Sequence, residues 1–336
     1  MAALSILDLV RVTQDTDARG ALDNARDLAA HAENWGYRRF WVAEHHNMPG
    51  IASAATSVVI AHIAAGTRRI RVGAGGIMLP NHAPLVIAEH FGTLARLFTG
   101  RIDLGLGRAP GTDQITVQAL RRMPGGVDTF PQDVLELQGY FAPVHPGQRV
   151  QAVSAAGTDV ELWLLGSSTY GAQLAAELGL PYAFASHFAP ADLLPALDIY
   201  RARFKPSAHL DRPYAVVGVN IIAGQTDREA IRLATTQQMA FTNIRGERGL
   251  SQPPIDDIEA YWTPKEKMQA QHMLRRSIYG SPETGRAGID GLIAETGADE
   301  LMIVSDVYDH TARLRSYEHI AATQTADAKL LLQRVH

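Results

Sequence analysis

The chain reads as an α/β protein: a (β/α)8 TIM barrel with an insertion before strand eight. Three observations carry that expectation. Short apolar runs alternate with longer amphipathic segments along all 336 residues. Eight such strand–helix pairs can be counted, whereas a doubly wound sheet more often uses about five or six strands. Glycines also stand just past helical patterns, at Gly36, Gly66, Gly100 and Gly179, where a left-handed closing residue is favoured.

The elements follow in order. "LSILDLVRV" (Leu4–Val12) is the first strand. Asp17–Trp35 is the first helix, because Ala21, Ala25, Leu28, Ala29, Ala32 and Trp35 recur at three or four and form one apolar stripe. "RRFWVAE" and "SAATSVVIAHIAAGT" make the second pair, and "IRVGAGGIM" and "APLVIAEHFGTLARLF" the third. "RIDLGLG" is strand four. A loop-rich stretch with a short helix follows it, and then a helix over Asp128–Tyr140. "VELWLLG", "PYAFAS" and "YAVVGVNIIAG" are strands five to seven, each followed by a helix. Thr242–Ser281 is polar and interrupted by proline, with a helix expected over Pro264–Ile278. Ser281, Pro282 and Glu283 open the next helix as N-cap and first turn. "ADELMIVSD" is strand eight and "HTARLRSYEHIA" closes the fold. Residues 1–336 are expected to form one domain, with 242–280 as a lid or an oligomer contact.

Composition excludes several functions. Net charge is -4, so no basic field draws nucleic acid or an anionic membrane. No cysteine is present, which removes disulfides, cysteine-ligated metal and a thiol nucleophile, and suits a cytoplasmic location. The start "MAALSILDLVRV" lacks signal-peptide features, and no apolar run approaches the ~20 residues of a membrane-spanning helix.

Four stretches just past strand ends carry chemistry. "EHHN" offers Glu44, His45 and His46. Strand alternation puts Glu44 and His46 on one face and His45 on the other. Proton transfer, loop histidines held by the backbone, and a metal site are the three readings, with metal disfavoured because adjacent strand histidines rarely share an ion. "VGAGGIMLPNHAP" places Gly73, Gly75 and Gly76 where a strand prefers bulk, which marks either a tight turn or close approach of a flat ligand. In "GLGRAPGTD", Arg108 suits an anion clamp or a structural salt bridge. In "LLGSSTYGAQLAA", Ser167, Ser168 and Thr169 open a helix, as either a phosphate cradle or a simple N-cap. Together they would hold a phosphorylated, ring-bearing cofactor. Phe40, Trp41, Met48, Met78, Phe184, His187 and Phe188 are candidates for an apolar pocket.

These stretches, with "ELWLLGSSTYGAQLAAELGLPYAFASHF" and "GADELMIVSDVYDHTARLRSYEHIA", resemble the bacterial-luciferase-like flavin-dependent monooxygenases over most of the chain. The similarity is closest to their single-chain branch. Thr56 and Thr99 stand where that branch often has proline. The resemblance implies a monooxygenase that takes reduced FMN from a separate flavin reductase, oxidises a small organic substrate with O2, and forms a homodimer. It implies that His45, with His46 next in line, is a base or proton relay beside the flavin. It implies a cis peptide at Gly75–Gly76 against the flavin ring, and Arg108 near the phosphate. Gly166, Ser167, Ser168, Tyr170 and Gly171 would form the phosphate cradle. Relatives that use deazaflavin F420 as a hydride carrier share these motifs, so an F420-dependent oxidoreductase is the alternative. A flavin-binding protein without turnover is another, and neither reading includes a metal.

Overall fold

Eight parallel strands close on themselves. A computed structural model describes residues 2–109, 111–121, 128–242 and 249–333. β1 (Ala3–Asp8), β2 (Arg39–Val42), β3 (Arg71–Met78), β4 (Ile102–Gly107), β5 (Glu161–Gly166), β6 (Tyr182–Phe184) and β7 (Ala215–Ala223) pair in chain order. A short β8 (Ile278–Gly280) and β9 (Glu300–Val304) complete the strands, and β9 pairs with both β7 and β1. The result is the expected (β/α)8 barrel.

The outer layer contains α1 (Ala18–Trp35), α2 (Thr56–Ala64), α3 (Pro84–Leu97), α4 (Gln114–Ala119), α5 (Phe130–Phe141), α6 (Thr169–Leu178), α7 (Leu193–Arg203), α8 (Asp227–Thr242), α9 (Pro264–Leu274), α10 (Pro282–Thr296) and α11 (His310–Gln333). Their ends follow local chemistry. Asp17 caps α1 by accepting from the Gly20 amide, and Gly36 closes it at φ 87. Thr263 and Glu266 form a reciprocal capping box on α9. No helix among the described residues is long and apolar enough to cross a membrane.

Two expectations change. The first strand stops at Asp8, not Val12, because the Asp8 carboxylate accepts the Val10 amide at 2.8 Å and Val10 turns to φ 51. The helix expected over Pro264–Ile278 ends at Leu274, and Ile278 belongs to β8. β7 runs nine residues, and β8 pairs with its last three, Ile221–Ala223. Backbone N–H and C=O groups need partners in either arrangement, and those of Ile278–Gly280 find them on the end of β7.

Alternation along the strands builds two cores. Ile6, Phe40, Val42, Val72 and Leu104 face the helices. Leu7, Trp41, Trp163, Val216 and Met302 fill the barrel. Below that inner layer lies buried charge. Arg39 donates to Glu300 at 3.0 Å, Asp103 at 3.0 Å and Glu161 at 2.9 Å, and Ser5 donates to Glu300. Trp41 and Trp163 meet edge to face, centroids 5.2 Å apart, and seal the barrel beneath the strand ends.

Candidate active site

Above the tryptophan layer, at the carboxyl ends of the strands, opens a cavity of about 560 Å3, within the usual range for small-molecule sites. His45 lines it, just past β2. Its Nδ1 contacts the Gly111 carbonyl at 3.3 Å. A carbonyl only accepts, so Nδ1 carries the proton in this contact and Nε2 is the basic nitrogen of the neutral ring.

Glu44 and His46 turn away from the cavity, as alternation predicts. Neither lines it. The Glu44 carboxylate is buried and gathers His46 Nε2 at 2.8 Å, His82 Nε2 at 2.9 Å, the Met78 amide at 2.9 Å and Asn81 Nδ2 at 3.3 Å. Burial pushes its pKa up, but the bonds from His82, the Met78 amide and His46 outweigh that and hold it below the usual carboxylate range. His46 is thus a partner of Glu44 rather than a cavity residue. Glu44 also ties the two loops together, since its amide donates to the Gly76 carbonyl at 3.1 Å.

The Gly75–Gly76 peptide bond is cis. Both glycines line the cavity, and the pairing of β3 with β4 shifts register between Gly75 and Ile77. A Cβ on Gly75 would strike Leu7 and Trp41, and one on Gly76 would strike Leu165 and the Gly105 carbonyl. Barrel packing therefore already demands glycine at both positions, whatever lies above them.

Across the mouth, Gly166, Ser167, Ser168, Tyr170 and Gly171 line the cavity. Ser167 and Ser168 are exposed. Ser168 is the N-cap of α6, yet its side chain makes no capping hydrogen bond. Arg108 also lines the cavity, stacks over the Tyr170 ring at 4.0 Å and pairs with Asp128 at 2.9 Å. Of the seven pocket candidates, Met48, Met78, His187 and Phe188 line the cavity. Phe40 and Phe184 face the helices, and Trp41 lies in the layer below.

The structure adds residues that the sequence reading did not select. Arg11 pairs with Asp306 at 2.9 Å, and both line the cavity. Asn220 and Gln237 line another part. Asp306 closed the stretch read as strand eight and only the earlier end of β9, at Val304, puts it past a strand, while Asn220 is the lone polar residue inside an apolar strand. Gln237 carried no signal, because a polar residue on a helix reads as surface. Gly249–Gln252, within the expected insertion 242–280, form a further wall. The Ser251 amide donates to the Val12 carbonyl at 3.0 Å, and the Gln14 amide to the Ser251 carbonyl at 3.1 Å. Residues 243–248 of that insertion lie outside the described residues. Among the described residues, no group of three or more acidic or histidine side chains is arranged to hold a metal ion.

Residues 3–324 match the family model for luciferase-like monooxygenases. The chain belongs to the luciferase-like monooxygenase family. A luciferase-like monooxygenase from Escherichia coli K12 is 52% identical over 318 residues, covering 94% of this chain and 95% of the relative. The solved structure of apo-MsnO8 is similar at TM-score 0.90 and 34% identity, covering 97% of this chain and 99% of that one. Two more distant structures share the fold. The oxygenating constituent of 3,6-diketocamphane monooxygenase from Pseudomonas putida, solved with FMN, has TM-score 0.72 at 18% identity over 96% of this chain and 97% of that one. An F420-dependent secondary alcohol dehydrogenase has TM-score 0.68 at 14% identity over 96% and 98%.

Proposed function

We propose that this luciferase-like monooxygenase uses reduced FMN, received from a separate flavin reductase, and O2 to oxidise a small organic substrate. One observation carries the choice of a phosphorylated cofactor. The Ser168 hydroxyl sits at the amino end of α6 with no capping bond, beside exposed Ser167 and within one cavity with Arg108 and His45. Free amides, the positive helix end and hydroxyl donors fit a phosphate monoester.

When bound, reduced FMN supplies the electrons that activate O2. Ser167, Ser168, the amides near Tyr170 and Gly171, and Arg108 would hold its phosphate. The Gly75–Gly76 backbone would carry the ring. His45 would take or return a proton at Nε2, and a histidine suits that work because its ordinary pKa lies near neutrality. The segment 242–280 would cover the mouth and keep water out, a reading supported by the Ser251 bonds to Val12 and Gln14.

The test is an anaerobic titration with reduced FMN and, separately, reduced F420, followed by tryptophan fluorescence. The expected result is saturable binding of FMN, weakened at least tenfold by Ser168→Glu, because a carboxylate at the cradle repels phosphate. Tighter binding of F420 would move the protein to the hydride-transfer alternative. FMN binding unchanged by Ser168→Glu would remove the cradle.

A further inference from the structure

His187 follows β6 and packs edge-on against Phe188, ring centroids 4.8 Å apart. Its Nδ1 is buried and has no hydrogen-bond partner. That nitrogen lies against Gly218 of β7, where an added Cβ would come 2.5 Å from Nδ1. The missing side chain at Gly218 is what makes room for the ring. Nδ1 is held against β7 while the residue lines the cavity, so the geometry turns the opposite ring nitrogen, Nε2, to the cavity.

The backbone here is fixed independently. Asn220 Nδ2 donates to the His187 carbonyl at 2.6 Å, and Gln237 Nε2 donates to Asn220 Oδ1 at 2.9 Å. The Tyr279 hydroxyl donates to Gln237 Oε1 at 2.9 Å. This buried chain crosses β7, α8 and β8, so the short strand outside the barrel anchors the cavity wall. Networks in which every member is satisfied hold one geometry.

The protonation state follows from the surroundings. Burial drives the His187 pKa down to about 4. Asp306 opposes that shift and His45 adds to it, and Arg11 neutralises Asp306 at 2.9 Å. The ring is uncharged at neutral pH and carries one N–H. On Nδ1 that proton would be a buried donor without an acceptor, the costlier arrangement. It belongs on Nε2. Elsewhere on the wall, Arg11 and Asp306 cancel, and Arg108 pairs with Asp128 at the cradle end.

We propose that His187 is a substrate-orienting hydrogen-bond donor, its Nε2–H aimed at an uncharged oxygen acceptor on a largely apolar substrate. The proposal rests on the monooxygenase reading only in taking the ligand to be the substrate.

Two experiments test it. In protein labelled with 15N-histidine, the His187 ring should show the Nε2–H form at pH 7 and should not titrate between pH 8 and pH 5. An Nδ1–H form, or titration in that range, overturns the proposal without touching the cofactor reading. The second experiment uses matched probes, cyclohexanone and methylenecyclohexane, bound to the FMN-loaded protein and followed by saturation-transfer NMR. The native chain should prefer the ketone about tenfold, as one added hydrogen bond allows. His187→Phe should abolish that preference and His187→Gln, which keeps an N–H donor, should restore part of it. Both variants should bind FMN with the native affinity. Absence of a preference in the native chain, or its survival in His187→Phe, overturns the proposal. Loss of FMN affinity in His187→Phe would assign the donor to the cofactor instead. Failure of the native chain to bind FMN at all counts against the monooxygenase reading, while the tautomer experiment still decides the donor.

Discussion

Replacing Glu44 with glutamine should cost more than any substitution of an exposed carboxylate. The side chain is 2% exposed and accepts from four donors: the Met78 amide, His82, His46 and Asn81. Glutamine keeps the shape and one acceptor oxygen. It turns the second oxygen into an N–H group facing other donors, so at least one buried donor loses its acceptor. Hydrogen bonds to a charged group contribute about 1.5–3 kcal/mol each, and a stranded buried donor adds about 1–3 kcal/mol. Allowing for the bonds that glutamine retains, Glu44→Gln should lose about 2–4 kcal/mol. Urea denaturation followed by circular dichroism, with native and variant measured side by side, gives the difference. The pH dependence follows from the lowered carboxyl pKa. Stability from Glu44 is fully present above its ordinary value of 4.5 and is lost as pH falls through the lower folded value. The gap between native and variant should therefore stay open above that value and narrow on further acidification. A difference under about 0.5 kcal/mol at pH 7, the range of an ordinary surface change, would refute the reasoning.

Two other substitutions probe the barrel. Arg39→Met leaves Asp103 and Glu300 buried with less positive charge to face them, although Arg71 still holds Asp103. Breaking a buried ion pair in this way costs about 3–5 kcal/mol, and a thermal melt should show a marked drop. An unchanged melt would mean that the floor tolerates bare carboxylates. Gly76→Ala should lower both stability and FMN affinity, because the new methyl meets Leu165 and the Gly105 carbonyl. Overpacking of this kind costs about 1–3 kcal/mol, and a variant that binds FMN normally with a native melting temperature would contradict that packing.

All eight barrel strands were readable in the sequence because each is a local event: a few apolar residues, then a turn or cap. The α1 stripe and its Gly36 stop emerge as expected. β8 escaped because three residues adjoining a helical pattern carry too little periodicity to be seen. At the mouth, His45, Arg108, Ser167 and Ser168 were legible from their place just past strand ends and Gly76 as a glycine near the end of β3, and all five border one cavity. His46 shared that signal and does not border it. One step along a strand reverses the face, and the Glu44 carboxylate holds the ring on the outer side.

The sequence by itself determined the order of strands and helices, the charge balance and the family motifs, since all are written in neighbouring residues. Only the tertiary structure decided which side chains meet. Arg11 and Asp306 are 295 positions apart and lie 2.9 Å from each other. Gly218 makes room for the His187 ring, and Gln237 reaches Asn220 across two elements. Those meetings depend on how the barrel closes, and closure depends on packing summed over the whole chain rather than on any segment of it.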